Sequence, residues 1–184
     1  LAWYGGMPAW TDAITSRVEA ERELTHHIET VVSRYRGLIG SWDVVNEPLT
    51  VFGQDGGTGG LRDGVFLAKL GPGYIAEAFR VAHEADPDAR LFLNDFVELK
   101  PGPKQDRYVA LVRELLDAGV PLHGVGIQAH MASFPTAPPG DADVATREEA
   151  EASLRRFADL GVDVEITELN VHTWRFAGDR AARL

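Results

Sequence analysis

Apolar strands and amphipathic helices alternate along this chain of 184 residues, and this alternation is the feature that most restricts its fold. Continuous apolar runs are centred near residues 3, 44, 92, 126 and 166. Such runs are typical of strands that are buried on both faces of a parallel sheet. They recur about every 40 residues, a spacing that fits one strand, one helix and two connections. The sequence therefore predicts five β/α units with no domain boundary between them.

Helix and strand signals give approximate bounds for these units. The strands are predicted near Trp3 and over residues 41–46, 90–94, 124–128 and 162–169. Apolar stripes at helical spacing predict helices that end near Gly37, before Asp86, at Ala118 and at Gly161. The last helix begins at Thr146, because Thr146 and Glu149 have the spacing of a capping box.

Five units fit two architectures, and their spacing leaves both open. Eight such units would need about 320 residues, which is within the size of an eight-stranded β/α barrel. Five strands could also form a complete doubly wound sheet. Leu1 is not an initiator methionine, and a strand follows it with no preceding turn. We therefore expect the chain to be a piece of a longer protein.

The composition argues against several classes of function. Lys and Arg number 18 against 28 Asp and Glu, which gives a formal net charge of −10. A nucleic-acid binder needs a basic surface to neutralise phosphates, so we expect no nucleic-acid partner. The absence of cysteine excludes disulfide scaffolds, thiolate zinc sites and cysteine nucleophiles. No apolar run approaches the roughly 20 residues of a membrane-spanning helix, so we expect no membrane partner.

Polar residues follow four of the five predicted strands. Chemistry in β/α folds is carried by the carboxyl ends of the strands. These ends carry Asn46-Glu47, Asn94-Asp95, Gln128-x-His130 and Thr167-Glu168. A carboxylate after an apolar strand is tolerated when it is paired or hydrogen-bonded, so Glu47 and Glu168 together predict a shared site. For Asp95, a cap on the next helix or a partner of loop backbone explains the residue as well as a place in this site does.

Two carboxylates beside carboxamides and an imidazole favour cleavage of a glycosidic bond. One carboxyl group donates a proton to the leaving oxygen, while the other attacks the anomeric carbon or activates water. The alternative chemistry is a metal site with His130, Glu168 and Asp95 as ligands. The sequence has neither a His-x-His nor a His-Glu-x-x-His pair, so we expect no metal and no cofactor.

Three motifs in order resemble glycoside hydrolase family 10, the retaining endo-β-1,4-xylanases. They are Trp-Asp-Val-Val-Asn-Glu-Pro at 42–48, Gly-Ile-Gln-Ala-His at 126–130 and Ile-Thr-Glu-Leu-Asn at 166–170. Residues 1–10 and 93–96 look like the family's third and fifth strands. The resemblance implies an α/β fold, a partial (β/α)8 TIM barrel with about five of its eight units, strands three to seven. Residues 1–184 would then form a single incomplete catalytic domain.

The resemblance also implies a role for each of six residues. Glu47 would be the general acid/base and Glu168 the nucleophile of a double displacement on internal β-1,4-xylosidic bonds. Asn46 would bond the sugar 2-hydroxyl, and His130 would orient Glu168. Gln128 and Trp3 would line the sugar site. The implied partner is xylan or xylooligosaccharide, bound by a protein that is a monomer at full length. Because that substrate lies outside cells, we expect a secreted protein.

Several positions depart from the family pattern. Tyr4 replaces a histidine, Gly5-Gly6 a Ser-Gln pair, Phe96 a tyrosine and Asn170 an aspartate that would support His130. Two alternatives therefore stay open: another barrel β-glycanase, such as a glucanase or mannanase, and a non-catalytic carbohydrate-binding protein. An open arc of a barrel exposes two sheet edges, so residues 1–184 alone are expected to be unstable and nearly inactive.

Overall fold

The computed structural model describes residues 1–50, 60–131 and 144–171, and its centre is a sheet of five parallel strands. These are β1 (Ala2–Trp3), β2 (Ser41–Asn46), β3 (Arg90–Asp95), β4 (Gly124–Ile127) and β6 (Asp163–Ile166). Two shorter strands, β5 (His130–Met131) and β7 (Asn170–Val171), pair in parallel with each other. They follow β4 and β6 directly and extend the structure beyond the carboxyl ends of those strands.

The order of the strands decides between the two architectures that the spacing left open. A doubly wound sheet reverses its strand order at a switch point, whereas successive strands of a barrel lie side by side. Here the order is β1-β2-β3-β4-β6, so each strand of the sheet pairs with the next one along the chain. The sheet is therefore an arc of a β/α barrel, and β1 and β6 are its two ends.

The described residues contain one 3₁₀ helix and five α-helices. They are η1 (Ala9–Ala13), α1 (Arg17–Arg34), α2 (Val65–Leu70), α3 (Tyr74–Ala85), α4 (Pro103–Asp117) and α5 (Arg147–Ala158). The side chain of Ser16 caps α1 by accepting the N–H of Glu19. The predicted capping box of α5 is confirmed, since Thr146 and Glu149 bond each other reciprocally. None of the described helices has the length and apolar character needed to cross a membrane.

Most of the predicted strand bounds agree with the structure. The strands predicted over residues 41–46, 90–94 and 124–128 are confirmed to within one residue. The last strand was predicted to reach residue 169, but β6 ends at Ile166. Beyond β6, the main-chain N–H of Thr167 still bonds the carbonyl of Ile127 (3.1 Å), and the Thr167 hydroxyl bonds the side chain of Asn94 (2.8 Å). The short helix α2, directly before Gly71-Pro72-Gly73, was not predicted.

A continuous apolar core joins the sheet to the helices. Fully buried side chains from the strands and helices include Val44, Leu91, Leu93, Val125, Ile127, Leu24, Ile28, Ile75 and Phe79. Tyr108 of α4 is also buried, and its hydroxyl lies 2.5 Å from the carbonyl oxygen of Leu93 and 3.2 Å from that of Gly126. Because these carbonyls belong to β3 and β4, Tyr108 ties α4 to two neighbouring strands below their carboxyl ends.

A histidine pair lies on the edge of this core where β3 and β4 begin. His123 Nδ1 accepts a hydrogen bond from the main-chain N–H of Leu91 (3.0 Å), and the His83 ring lies 6.5 Å away. Burial lowers the pKa of His123, helped by the positive charge of Arg90 and by His83, while Asp163 acts in the opposite direction. Since Nδ1 accepts a hydrogen bond only when it is unprotonated, the folded state favours neutral His123.

Folding stability is therefore expected to decrease as the pH falls below the ordinary histidine pKa of 6.5. The unfolded chain protonates His123 near that pH and the folded chain only at a lower pH, so acid favours the unfolded state. The stabilisation from neutral His123 is complete above pH 6.5. It is lost as the pH falls through the lowered pKa of His123 in the folded state. Urea unfolding of the full-length protein at about pH 7.5 and about pH 5.5 measures the loss.

The matched variants are His123→Asn, which keeps an acceptor but does not titrate, and His26→Asn on the exposed face of α1. His123→Asn should lose less stability between the two pH values than the wild type, whereas His26→Asn should behave like the wild type. Equal losses in wild type and His123→Asn would contradict the assignment of the pH dependence to His123.

Candidate active site

The register of the sheet places the predicted polar residues together at the carboxyl ends of the strands. Trp3 at the end of β1 pairs with Asn46 at the end of β2, and Asn46 pairs with Asn94 near the end of β3. Asn94 in turn lies opposite Gly126 of β4. These side chains are thus positioned by strand pairing, which is more rigid than a loop.

The backbone turns sharply directly after β2 and β4. Glu47 has φ 52° and Ala129 has φ 56°, and both angles lie in the left-handed region that few non-glycine residues adopt. Hydrogen bonds hold both turns: the Glu47 N–H bonds the carbonyl of Asn94 (2.8 Å), and the Ala129 N–H bonds that of Val97 (3.1 Å). Strained backbone of this kind clusters at functional sites, so the turn at Glu47 supports a functional role for this residue.

Three amide side chains connect the two glutamates. Gln128 Nε2 donates to Glu47 Oε1 (3.1 Å) and also to Asn46 Oδ1 (3.3 Å). Asn94 Nδ2 donates to the same Asn46 oxygen (2.9 Å) and to Glu168 Oε1 (3.0 Å). The side chain of Glu47 is 15% exposed and that of Glu168 is 41% exposed. One hydrogen-bonded network therefore holds both carboxylates, and the greater exposure of Glu168 reflects its place after β6, the end strand of the arc.

Asn94 belongs to this network, although it was missing from the predicted set of site residues. It is 2% exposed, and its Oδ1 accepts the hydroxyl of Thr167 while its Nδ2 reaches Asn46 and Glu168. The sequence did carry a signal, since Asn94-Asp95 follows a predicted strand. Adjacent strand residues point to opposite faces, however, and the sequence does not say which of the two faces the site.

Asp95, unlike its neighbour Asn94, contacts Lys104 and Leu49 and not the two glutamates. Its carboxylate is fully buried, lies 2.7 Å from Lys104 Nζ and accepts the N–H of Leu49 (2.9 Å). Burial raises the pKa of Asp95, and the Lys104 ammonium opposes that shift. Asp95 therefore holds the loop that follows Glu47. Its carboxylate is occupied by Lys104, and the described part of the chain contains no cluster of three metal-ligating side chains, so the His130–Glu168–Asp95 metal site is not formed there.

His130 lies against Glu168, as the resemblance implied. Its Nε2 is 3.2 Å from Glu168 Oε2, and the Asn170 side-chain nitrogen is 2.7 Å from its Nδ1. Both ring nitrogens of His130 therefore have a polar partner, the carboxylate of Glu168 on one side and the amide of Asn170 on the other. The Phe96 ring contacts the other side of the imidazole at a centroid distance of 4.9 Å. The imidazole is thus supported without the aspartate that the family pattern has at position 170.

Trp3 and Tyr4 form the aromatic side of the site. The Trp3 indole is 42% exposed and meets the Tyr4 ring edge-on at 5.6 Å. It also lies over the backbone of Gly5, where a Cβ atom would approach the indole to 2.9 Å. Trp3, Tyr4, Asn46 and Glu47 line a small cavity of about 30 Å³. An exposed indole beside a carboxylate and an amide is suited to contact the apolar face of a sugar ring.

Residues 1–182 match the family described as Glycosyl hydrolase family 10. The chain belongs to this family. The endo-1,4-beta-xylanase B of Paenibacillus barcinonensis is 38% identical to it over 98% of the chain and 52% of the relative. The crystal structure of xylanase 10B from Thermotoga petrophila RKU-1 in complex with xylobiose has a TM-score of 0.83 at 32% identity, over 99% of this chain and 51% of that one.

Another similar structure is described as an intracellular xylanase from Thermoanaerobacterium saccharolyticum, solved as a mutant with xylotriose. Its TM-score is 0.79 at 32% identity, over 97% of this chain and 53% of that one. The chain spans about half the length of the relatives it matches. The predicted family is confirmed, and so is the predicted fold, about half of a (β/α)8 barrel.

The absence of a side chain at residue 126 makes room for the amide network. A Cβ atom on Gly126 would lie 2.1 Å from Asn94 Oδ1 and 2.9 Å from Thr167 Cγ2. We expect Gly126→Ala to displace Asn94 and to destabilise the fold by about 1–3 kcal/mol, the usual cost of overpacking. Urea unfolding of the full-length protein measures this cost.

Gly40→Ala is the matched control, because nothing lies within 4 Å of a Cβ atom at Gly40. This control should change the free energy of unfolding by less than about 0.5 kcal/mol. The interpretation of Gly126 would be wrong if both variants had the stability of the wild type.

Proposed function

We propose that the protein carrying this chain is a retaining endo-1,4-β-xylanase that cleaves internal bonds of xylan or xylooligosaccharides. The observation that carries the proposal is the amide network that holds Glu47 and Glu168 at one edge of the sheet. Membership of family 10 and the names of the relatives support xylan as the substrate class. We further propose that residues 1–184 belong to one catalytic domain, with no nucleic-acid or membrane partner.

Glu168 is the proposed nucleophile. Each of its carboxylate oxygens has a donor, since Asn94 Nδ2 reaches Oε1 (3.0 Å) and His130 Nε2 lies 3.2 Å from Oε2. These donors stabilise the negative charge that an attacking carboxylate needs. In the first step Glu168 attacks the anomeric carbon, and the bond from that carbon to the leaving oxygen breaks. A covalent glycosyl-enzyme ester results.

Glu47 is the proposed general acid/base. In the first step its carboxyl proton goes to the leaving oxygen, so the aglycone departs as an alcohol. In the second step the ionised Glu47 takes a proton from water, whose oxygen attacks the anomeric carbon and releases Glu168. Two inversions at one carbon give net retention, and the protonation states of both glutamates are restored.

Asn46 is the proposed partner of the sugar hydroxyl next to the reacting carbon. Its Oδ1 already accepts from Asn94 and Gln128, while its Nδ2 makes no hydrogen bond to the described residues. The amide N–H groups are therefore left to donate to substrate, a contact that strengthens as the transition state develops. Gln128 fixes Asn46 and Glu47 together, and Trp3 provides an exposed aromatic face for a sugar.

We propose action outside the cell and a monomeric full-length protein. Secretion is supported only by the location of polymeric xylan. The relative from Thermoanaerobacterium saccharolyticum is described as intracellular, so family membership does not decide the compartment.

Replacing the nucleophile tests the proposed function. In the full-length protein, Glu168→Ala should lower kcat on xylotetraose by about 10⁴-fold or more, with its circular dichroism unchanged. Glu84→Ala, on the exposed face of α3, should keep the wild-type rate. A Glu168→Ala protein with wild-type turnover would refute the assignment. If the wild type binds xylotetraose without cleaving it, the carbohydrate-binding alternative is correct.

The configuration of the first product tests the retaining mechanism. Proton NMR during hydrolysis should show the β-anomer first and the α-anomer only later, by mutarotation. An initial α-anomer would indicate direct attack by water, which contradicts a covalent intermediate on Glu168. Parallel assays on β-glucan and β-mannan separate a xylanase from another barrel glycanase, because the better substrate should have the larger kcat/KM.

A further inference from the structure

We propose that Arg62 is a positioning residue for Glu47 and that the Tyr4 ring holds Arg62 in place. The inference rests on the proposed function, because it concerns how the acid/base is oriented. Arg62 lies between Gly60 and α2, outside every motif that carries the family resemblance. Its side chain nevertheless lines the same small cavity as Glu47, Asn46 and Tyr4.

Arg62 contacts Glu47 at two separate points. Its Nε donates to the main-chain carbonyl of Glu47 (3.1 Å), and its Nη2 lies 3.5 Å from the carboxylate Oε2. One planar guanidinium therefore reaches both the backbone and the side chain of the same residue. Because Glu47 has a left-handed backbone, the bond to its carbonyl stabilises a conformation that is unfavourable by itself.

The position of Arg62 is fixed from the main chain as well. Its N–H bonds the carbonyl of Pro48 (2.7 Å), and Leu61 forms an antiparallel bridge with Leu49. Leu49 is itself bonded to the buried carboxylate of Asp95. Residue 62 is thus paired with the segment that directly follows Glu47, which fixes the point from which the Arg62 side chain extends.

Tyr4 covers the guanidinium. The Arg62 Cζ lies 4.0 Å from the centroid of the Tyr4 ring, a distance typical of a cation–π contact. The Arg62 side chain is only 16% exposed, and its Nη2 is buried with no hydrogen bond to the described residues. The guanidinium is therefore enclosed between an aromatic ring and Glu47, where it can act on the carboxylate but cannot itself bind substrate through Nη2.

This arrangement affects one step of the proposed reaction selectively. Glu47 must lie close to the leaving oxygen to donate its proton, whereas an activated aryl group departs without that proton. A misplaced Glu47 therefore slows cleavage of poor leaving groups and spares good ones. A general loss of structure would instead slow both, so the ratio of the two rates separates positioning from folding.

The test compares kcat/KM for xylotetraose and for 2,4-dinitrophenyl xylobioside in the full-length protein. Arg62→Met should lower kcat/KM about 100-fold on xylotetraose and less than about threefold on the activated substrate. Arg62→Lys keeps the charge but not the two-point contact. Its kcat/KM on xylotetraose should therefore lie between that of the wild type and that of Arg62→Met. If Arg62→Met does not fold, the selective loss in Arg62→Lys carries the test.

Tyr4 provides the second arm of the experiment. Tyr4→Ala should reduce kcat/KM about tenfold on xylotetraose but not on the activated substrate. Tyr4→Phe keeps the ring, so its kcat/KM on xylotetraose should stay close to the wild-type value. Tyr35→Ala is the matched control, since the Tyr35 ring contacts Arg34 at 5.8 Å in α1 and not the site. Tyr35→Ala should leave both rates at the wild-type value.

The outcomes separate this inference from the proposed function. Equal losses on both substrates, or no loss in Arg62→Met, would overturn the positioning role while wild-type turnover and its dependence on Glu168 stand. A wild-type protein that cleaves neither substrate would instead overturn the proposed function. A selective loss in Tyr35→Ala as large as that in Tyr4→Ala would show that the effect is not specific to the ring over Arg62.

Discussion

The side chain of Asn94 holds the two halves of the site together. Its amide nitrogen reaches both Asn46 and Glu168, and its amide oxygen accepts the hydroxyl of Thr167. These partners come from two segments that are remote in sequence from Asn94 and from each other, and the parallel sheet brings them together. The contact also needs empty space at Gly126, where any side chain would collide with the amide. The geometry of both glutamates therefore depends on one buried amide and on a missing Cβ atom.

The same residue also stabilises the strained turn at Glu47. The main-chain carbonyl of Asn94 accepts the N–H of Glu47, and Arg62 donates to the carbonyl of Glu47. A left-handed non-glycine residue costs about 1–3 kcal/mol, so hydrogen bonds on both sides of the residue are needed to keep it there. The turn carries the chain off β2 at the point where the Glu47 carboxylate meets Gln128. The left-handed turn at Glu47 therefore produces both the backbone strain and the position of the carboxylate.

The sequence predicted features that depend on neighbouring residues in the chain. It did not predict contacts between residues that are far apart in the chain. Apolar runs predicted the strands, and their polar ends predicted Glu47 and Glu168, because burial leaves a pattern along the chain. Strand order leaves no such pattern, so the choice between barrel and doubly wound sheet came from the motifs and was confirmed by pairing. Asn94 was not predicted because the sequence does not show whether Asn94 or its neighbour Asp95 faces the site. Arg62 was missed because its partner, Glu47, lies 15 residues earlier and meets it only in space.

The residues that depart from the family pattern make their own contacts in this structure. Tyr4 covers the guanidinium of Arg62, Asn170 contacts the imidazole of His130, and Phe96 lies against the same ring. Gly5 admits the Trp3 indole over the backbone, which a serine at that position would obstruct. Both glutamates therefore keep donors of hydrogen bonds, whereas Gly6 has no side chain at the position where the family pattern has a glutamine. The substitutions therefore change the walls of the site and leave the carboxylate network intact.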